Sequence, residues 1–370
     1  MLSLTRRCLK LFIPRLGFLG ITGLLLVSTV LADANLGLPR LSASTSANQF
    51  SALGKRLFFD TRLSIDNSQS CGTCHVADQG FTQNEISTPL GLHGQAIKRN
   101  TPTLLNVAFM DALFLDGREL TLEDQIWSPL LSPREMGNLS IDLVVQKLHS
   151  IESYVDAFGL LGLTIDAASL GQLIARYERS LIAADSPFDR WYFQGDTSGF
   201  TPDAIEGFAI FNRHGCSTCH TIGQSDALFT DQLFHNTGLG KRGAMLKKPN
   251  TLAKQPTADE MLIDLGRFEV TGNPADRWRF RTPSLRNIAR TAPYMHDGSI
   301  KSLTEVVENY MIAGYVDDQI FDIDQDPRLL PFTLDDAELA HLIEFLHTLT
   351  SPHVGRLADD ANPALTEIPR

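Results

Sequence analysis

The chain has almost no cysteine to spare. Of five in 370 residues, four sit in two short motifs and the fifth, Cys8, lies near the start. That excludes a disulfide-stapled fold. Basic residues are the minority too: 32 Lys and Arg against 43 Asp and Glu give a net charge of −11. An acidic surface argues against nucleic acid and for a basic partner or plain solubility. No apolar run is long enough for a comfortable membrane span, since the clearest covers only residues 18–32. There is no low-complexity tract and no convincing alternating pattern of a strand.

The one apolar run has another reading. It follows Arg6, Arg7, Lys10 and Arg15, with no acid among them, and ends at Val30-Leu31-Ala32 or Ala32-Asp33-Ala34. A basic segment, an apolar segment and a small-residue cleavage site predict a secretory signal peptide over residues 1–32, an uncleaved anchor being the alternative. Cleavage removes Cys8 and four cations, taking the net charge from −11 to −15. The expected compartment is the periplasm.

What is present is C-x-x-C-H, twice: Cys71-Gly72-Thr73-Cys74-His75 and Cys216-Ser217-Thr218-Cys219-His220. This spacing reads as c-type haem attachment, two thiols bonding the porphyrin vinyls and the adjacent histidine binding iron. A redox dithiol would not need the histidine, and a zinc site would gather four thiols into one cluster. Two covalently bound haems are expected.

A repeat surrounds them. Residues 99–123 recur as 281–304 at a constant offset of 181, matching Thr101/Thr282, Pro102/Pro283, Leu104/Leu285, Asn106/Asn287, Ala108/Ala289, Asp116/Asp297, Gly117/Gly298 and Leu122/Leu303. Internal duplication follows. Helical spacing is read over 47–58, 139–162, 165–182, from Thr201-Pro202 onward, and from Thr333 to Leu349. The expected fold is mainly α: two cytochrome-c-like helical domains, 33–198 and 199–350, each carrying one haem. Gly195–Thr201 joins them, and 351–370 is a polar tail, wrapped back or loose.

The offset also bears on the irons. Tyr310 is a candidate axial ligand in the second copy, and its counterpart in the first is Pro129, which has no atom to bind iron. One haem is then closed and the other open to a small ligand such as peroxide. Cleaving peroxide needs an acid/base group, and Gln125 and Glu135 flank Pro129.

These motifs resemble the bacterial dihaem cytochrome c peroxidase family, which includes the MauG-type protein-modifying oxidases. The likeness runs from Leu57-Phe58-Phe59-Asp60-Thr61-Arg62-Leu63-Ser64 to the final helix. It rests on Arg99-Asn100-Thr101-Pro102, Asp116-Gly117-Arg118, Glu135-Met136-Gly137, Phe280-Arg281-Thr282-Pro283-Ser284-Leu285-Arg286-Asn287 and Ala292-Pro293-Tyr294-Met295-His296-Asp297-Gly298. The resemblance implies a peroxidatic haem on His75 with Gln125, Pro129 and Glu135 in its distal pocket, and a low-spin haem on His220. It implies a calcium ion held by Asn100, Thr291 and Pro293, and a loop histidine, His93, as a candidate resting-state iron ligand. The implied partners are hydrogen peroxide, a small c-type cytochrome or other redox donor, or a protein substrate; a homodimer is left open.

Two departures matter. Classical peroxidase members place methionine where this chain has Tyr310, whereas MauG-type members place tyrosine; a phenolate lowers the haem potential. Leu115 replaces the tryptophan that usually precedes Asp-Gly-Arg between the haems, and leucine cannot relay charge. Trp127 is the nearby aromatic, better read as packing. A plain dihaem electron carrier is the alternative of a different class.

Overall fold

The computed structural model describes residues 35–41, 48–246, 263–313 and 324–366. The leader expected over 1–32, Cys8 included, and the last four residues of the tail lie outside the described residues. The chain begins with α1 (Gln49–Phe59), α2 (Cys71–Cys74), α3 (Leu122–Gln125), α4 (Trp127–Leu131), α5 (Ile141–His149), α6 (Glu152–Leu160) and α7 (Ala167–Arg179). It continues through α8 (Pro187–Gln194), α9 (Pro202–Arg213), α10 (Leu239–Leu246), α11 (Phe268–Thr271), α12 (Leu303–Met311), α13 (Asp336–His347) and α14 (His353–Thr366). One antiparallel pair, β1 (Phe234–Asn236) with β2 (Arg279–Arg281), is the sheet among the described residues. Strands of three residues are too short for alternation to show in a sequence.

Two apolar cores organise the helices. The first gathers Leu57, Phe58, Leu130, Tyr154, Phe158 and Ile174. The second gathers Phe188, Ile210, Phe211, Phe229, Leu342 and Phe345. Each has one close helix crossing, α1 on α7 and α9 on α13, and a glycine makes each possible. A Cβ on Gly54 would lie 1.9 Å from the Leu173 carbonyl oxygen, and on Gly207 1.9 Å from that of His341. Side chains cap both leading helices. Asn48 accepts from the first turn of α1, and Thr201 caps α9 with Pro202 at the first helical position.

One helix expectation changes. The helix read over 139–162 is two, because the Ser150 hydroxyl bonds the Lys147 carbonyl at 2.6 Å and closes α5, and Ile151 is extended. Phe188, on α8, is fully buried in the second core. The tail wraps back as a helix: α14 sets Val354, Ala358 and Ala361 into the first core, and Lys55 Nζ bonds the Asp360 carbonyl at 2.8 Å. Among the described residues no helix is long and apolar enough to cross a membrane.

The repeats share a conformation. Asn106 and Asn287 are both left-handed, φ 62° and 61°. Asn106 Oδ1 accepts from the Ala183 amide at 2.8 Å, and Asn287 Oδ1 from the Ser351 amide at 2.9 Å.

Candidate functional site

Each C-x-x-C-H follows a core helix, and its histidine is fixed from behind. His75 Nδ1 meets the Phe81 carbonyl at 3.1 Å, and His220 Nδ1 meets that of Phe229 at 2.9 Å. Both phenylalanines are fully buried and left-handed, φ 56° and 53°. The repeats hold these loops in turn: Thr103 Oγ1 donates to the Gly80 carbonyl at 2.6 Å, and Ser284 Oγ to that of Leu228 at 2.7 Å. With Nδ1–H engaged, each Nε2 keeps its lone pair for a metal. Burial pulls the His75 imidazole down to about 4 and lowers that of His220, so both are neutral ligands at ordinary pH.

The four thiols are unbridged. Burial pushes Cys74 and Cys216 up to about 11, and raises Cys71 and Cys219 as well. Protonated thiols of this kind are poor redox nucleophiles. One continuous cavity of about 810 Å³ opens beside both motifs and is walled by all four thiols and both histidines. Paired thiols, a neutral imidazole and adjoining empty volume fit a covalently attached haem at each end.

The remaining predicted residues divide between the two ends. Glu135, Gln125 and Pro129 line the cavity, and Glu135 lies within electrostatic reach of Cys74 and Cys71. Desolvation raises the Glu135 carboxyl, opposed by Arg118. Gln125 Oε1 is shielded and has no hydrogen-bond partner. A tight turn sets Glu135 in place, its amide donating to Ser132 at 3.0 Å and the Gly137 amide to the same carbonyl at 2.9 Å. Tyr310, on α12, lines the cavity near Cys216 and Cys219, and burial pushes its phenol up to about 12.

Asn100, Thr291 and Pro293 also line the cavity. Asn100 turns its Nδ2 to the Ser87 carbonyl at 2.9 Å, leaving Oδ1 available. Oxygens of this type suit a hard cation. His93 does not join the site. It is exposed, left-handed at φ 57°, and lies outside the cavity wall. Its neighbour Leu92 donates to the Arg134 and Glu135 carbonyls, which ties this loop beside the distal turn without turning the imidazole inward.

Leu115 lines the cavity and Trp127 packs against the first core. Two residues given no role from sequence enter the site. Arg118 stands over the Phe114 ring at 3.4 Å, bonded to Asp116; its signal was the Asp-Gly-Arg motif. Glu178 is a buried cavity-wall carboxyl that desolvation pushes up to about 8, and nothing in its pattern on α7 announced it.

Comparison with known proteins places the chain in a family. A family model described as di-haem cytochrome c peroxidase matches residues 48–198. The methylamine utilization protein MauG of Methylorubrum extorquens is 36% identical over 80% of this chain and 77% of that protein. The cytochrome c551 peroxidase of Pseudomonas aeruginosa is 35% identical over 85% of this chain and 82% of that protein. Among solved structures, a MauG-like protein associated with microbial copper homeostasis superposes with a TM-score of 0.71 at 28% identity, over 87% of this chain and 96% of that one. The chain belongs to the dihaem cytochrome c peroxidase family, whose members carry two haem groups and act as oxidoreductases on peroxide.

Proposed function

We propose that this is a periplasmic peroxidase that reduces hydrogen peroxide to water with electrons from a small c-type cytochrome or similar donor. Two cytochrome-c-like units arisen by duplication would form it, a reading supported by the paired hydrogen bonds of Asn106 and Asn287 and of Thr103 and Ser284. The leader's basic and apolar segments support export.

Haem iron supplies an axial coordination site and one-electron chemistry. Cys71, Cys74 and His75 would hold one haem, and Cys216, Cys219 and His220 the other. At the first, Pro129 offers no donor atom, so room remains for peroxide. Glu135 takes the proton from one peroxide oxygen and returns it to the other, the general acid/base role that a desolvated carboxyl suits. Gln125 Oε1 is free to accept a hydrogen bond from the peroxide O–H. Two electrons and two protons then complete conversion to two waters. Tyr310 would offer its phenol oxygen to the iron of the second haem. Asn100 Oδ1 with the Thr291 and Pro293 carbonyls would hold calcium between the halves.

The observation that carries this reading is the division of the cavity. Glu135 lies with Cys71 and Cys74, whereas Tyr310 lies with Cys216 and Cys219. Steady-state peroxide consumption by the holoenzyme with reduced small cytochrome c tests it; a protein with two covalent haems and no such turnover would contradict it. Tyr310 favours a second reading, a MauG-like oxidase acting on aromatic residues of a partner protein, because a phenolate makes the second haem a poorer acceptor. In that case the oxidised partner residue, found by mass spectrometry, replaces cytochrome turnover.

A further inference from the structure

Arg281 carries a buried charge that no carboxylate among the described residues meets. It is 8% exposed and lines the cavity. Its backbone is pinned, paired with Phe234 across β1 and β2 and donating its amide to the Leu115 carbonyl at 2.8 Å. Its guanidinium donates only to neutral acceptors: the Phe114 carbonyl at 3.3 Å, the Thr282 carbonyl at 3.4 Å and Met110 Sδ at 3.1 Å. Desolvation with no opposing charge pulls its pKa down to about 10. Other recessed arginines are treated differently. Arg286 closes on Asp189 at 2.7 and 3.0 Å, and Arg99 on Asp264 at 2.5 and 2.8 Å.

A buried, unpaired cation is strongly disfavoured. A guanidinium presents a planar fork of donors matched to a carboxylate. We propose that Arg281 is the receptor for a carboxylate of the haem seated on His220, an inference that rests on the two-haem reading above. The choice of haem follows from position. Two residues on, the Pro283 carbonyl faces the His220 imidazole together with that of Phe229. At the offset of 181, the corresponding residue in the first repeat is the neutral Asn100, so the cation belongs to one haem only. Its consequence is a balance of charge. Tyr310 lowers the potential of that haem, and Arg281 opposes it by favouring the more electron-rich state.

Spectroelectrochemistry of the holoenzyme tests this in wild type, Arg281→Met and Arg281→Lys. Covalent haem is counted by mass for each, because thioether attachment does not depend on Arg281. Arg281→Met is expected to shift the low-spin haem about tenfold toward ferric, equivalent to ~59 mV for a one-electron couple. The high-spin haem should barely move, and Arg281→Lys should retain most of the wild-type value. An unchanged low-spin midpoint with two haems present, or a shift confined to the high-spin haem, would overturn the assignment. If Arg281→Met does not mature, resonance Raman of Arg281→Lys decides: the low-spin propionate-bending band is expected to move, and a fixed band contradicts the pairing. A wild type with fewer than two covalent haems would sink the two-haem reading instead.

Discussion

Pro129 and Tyr310 stand 181 residues apart, the separation that relates Thr101 to Thr282 and Thr103 to Ser284, and both line one continuous cavity. One has no atom that can bind iron. The other ends in a phenol recessed beside Cys216 and Cys219. On the proposed reading the two haem seats offer unequal coordination, and the division of labour rests on that inequality.

Glu135→Gln removes the proton carrier while keeping its shape. Peroxide turnover should fall by about 10²–10⁴-fold, with both haem absorption bands intact. Stopped-flow mixing with peroxide reads this directly; turnover within tenfold of wild type would exclude Glu135 as the acid/base group.

Glu178 sets a pH dependence of stability. Folding raises its pKa from 4.5 to about 8, so the folded chain binds the proton more tightly than the unfolded one. Its stabilising effect is complete below about pH 4.5 and is lost as pH rises through about 8. Denaturant unfolding of Glu178→Gln at pH 5, 7 and 9 should show the variant gaining on wild type with pH, by a few kcal/mol at most. A pH-independent difference would contradict this.

Asn106 closes a buried bridge, giving Nδ2 to the Ala183 carbonyl at 2.9 Å and accepting its amide, from a left-handed backbone. Asn106→Ala loses two buried hydrogen bonds and strains φ, for an expected loss of about 2–3 kcal/mol in chemical denaturation. Asn106→Gly should recover the backbone part alone.

Calcium should bind through Asn100. Asn100→Ala is expected to weaken calcium binding at least about tenfold in calorimetry, the loss of one charge-assisted oxygen contact. Unchanged affinity would place the ion elsewhere.

How much of this was legible in the sequence depends on where the controlling partner lies. The two haem motifs were readable because covalent chemistry demands contiguous residues, and the proposed Pro129–Tyr310 contrast comes from the fixed offset between the repeats. The helix α14 was readable in principle: Val354, Ala358 and Ala361 are spaced for one face, but charges at Arg356, Asp359 and Asp360 made the segment look like a tail. The break at Ser150 was hidden because a hydroxyl bond, rather than a proline or glycine, ends α5. His93 kept the sequence position of an iron ligand while its left-handed backbone leaves it in solvent. Arg281 was opaque, since its isolation depends on which acceptors the 110–114 segment and Thr282 turn toward it, and these are carbonyls and a thioether.

Electron paramagnetic resonance of the ferric holoenzyme, before and after peroxide, tests the inequality of the two haems most directly. One high-spin and one low-spin signal are predicted; peroxide should perturb only the high-spin one, and Tyr310→Met only the low-spin one. Two low-spin signals, neither responding to peroxide, would contradict the account and leave a dihaem electron carrier.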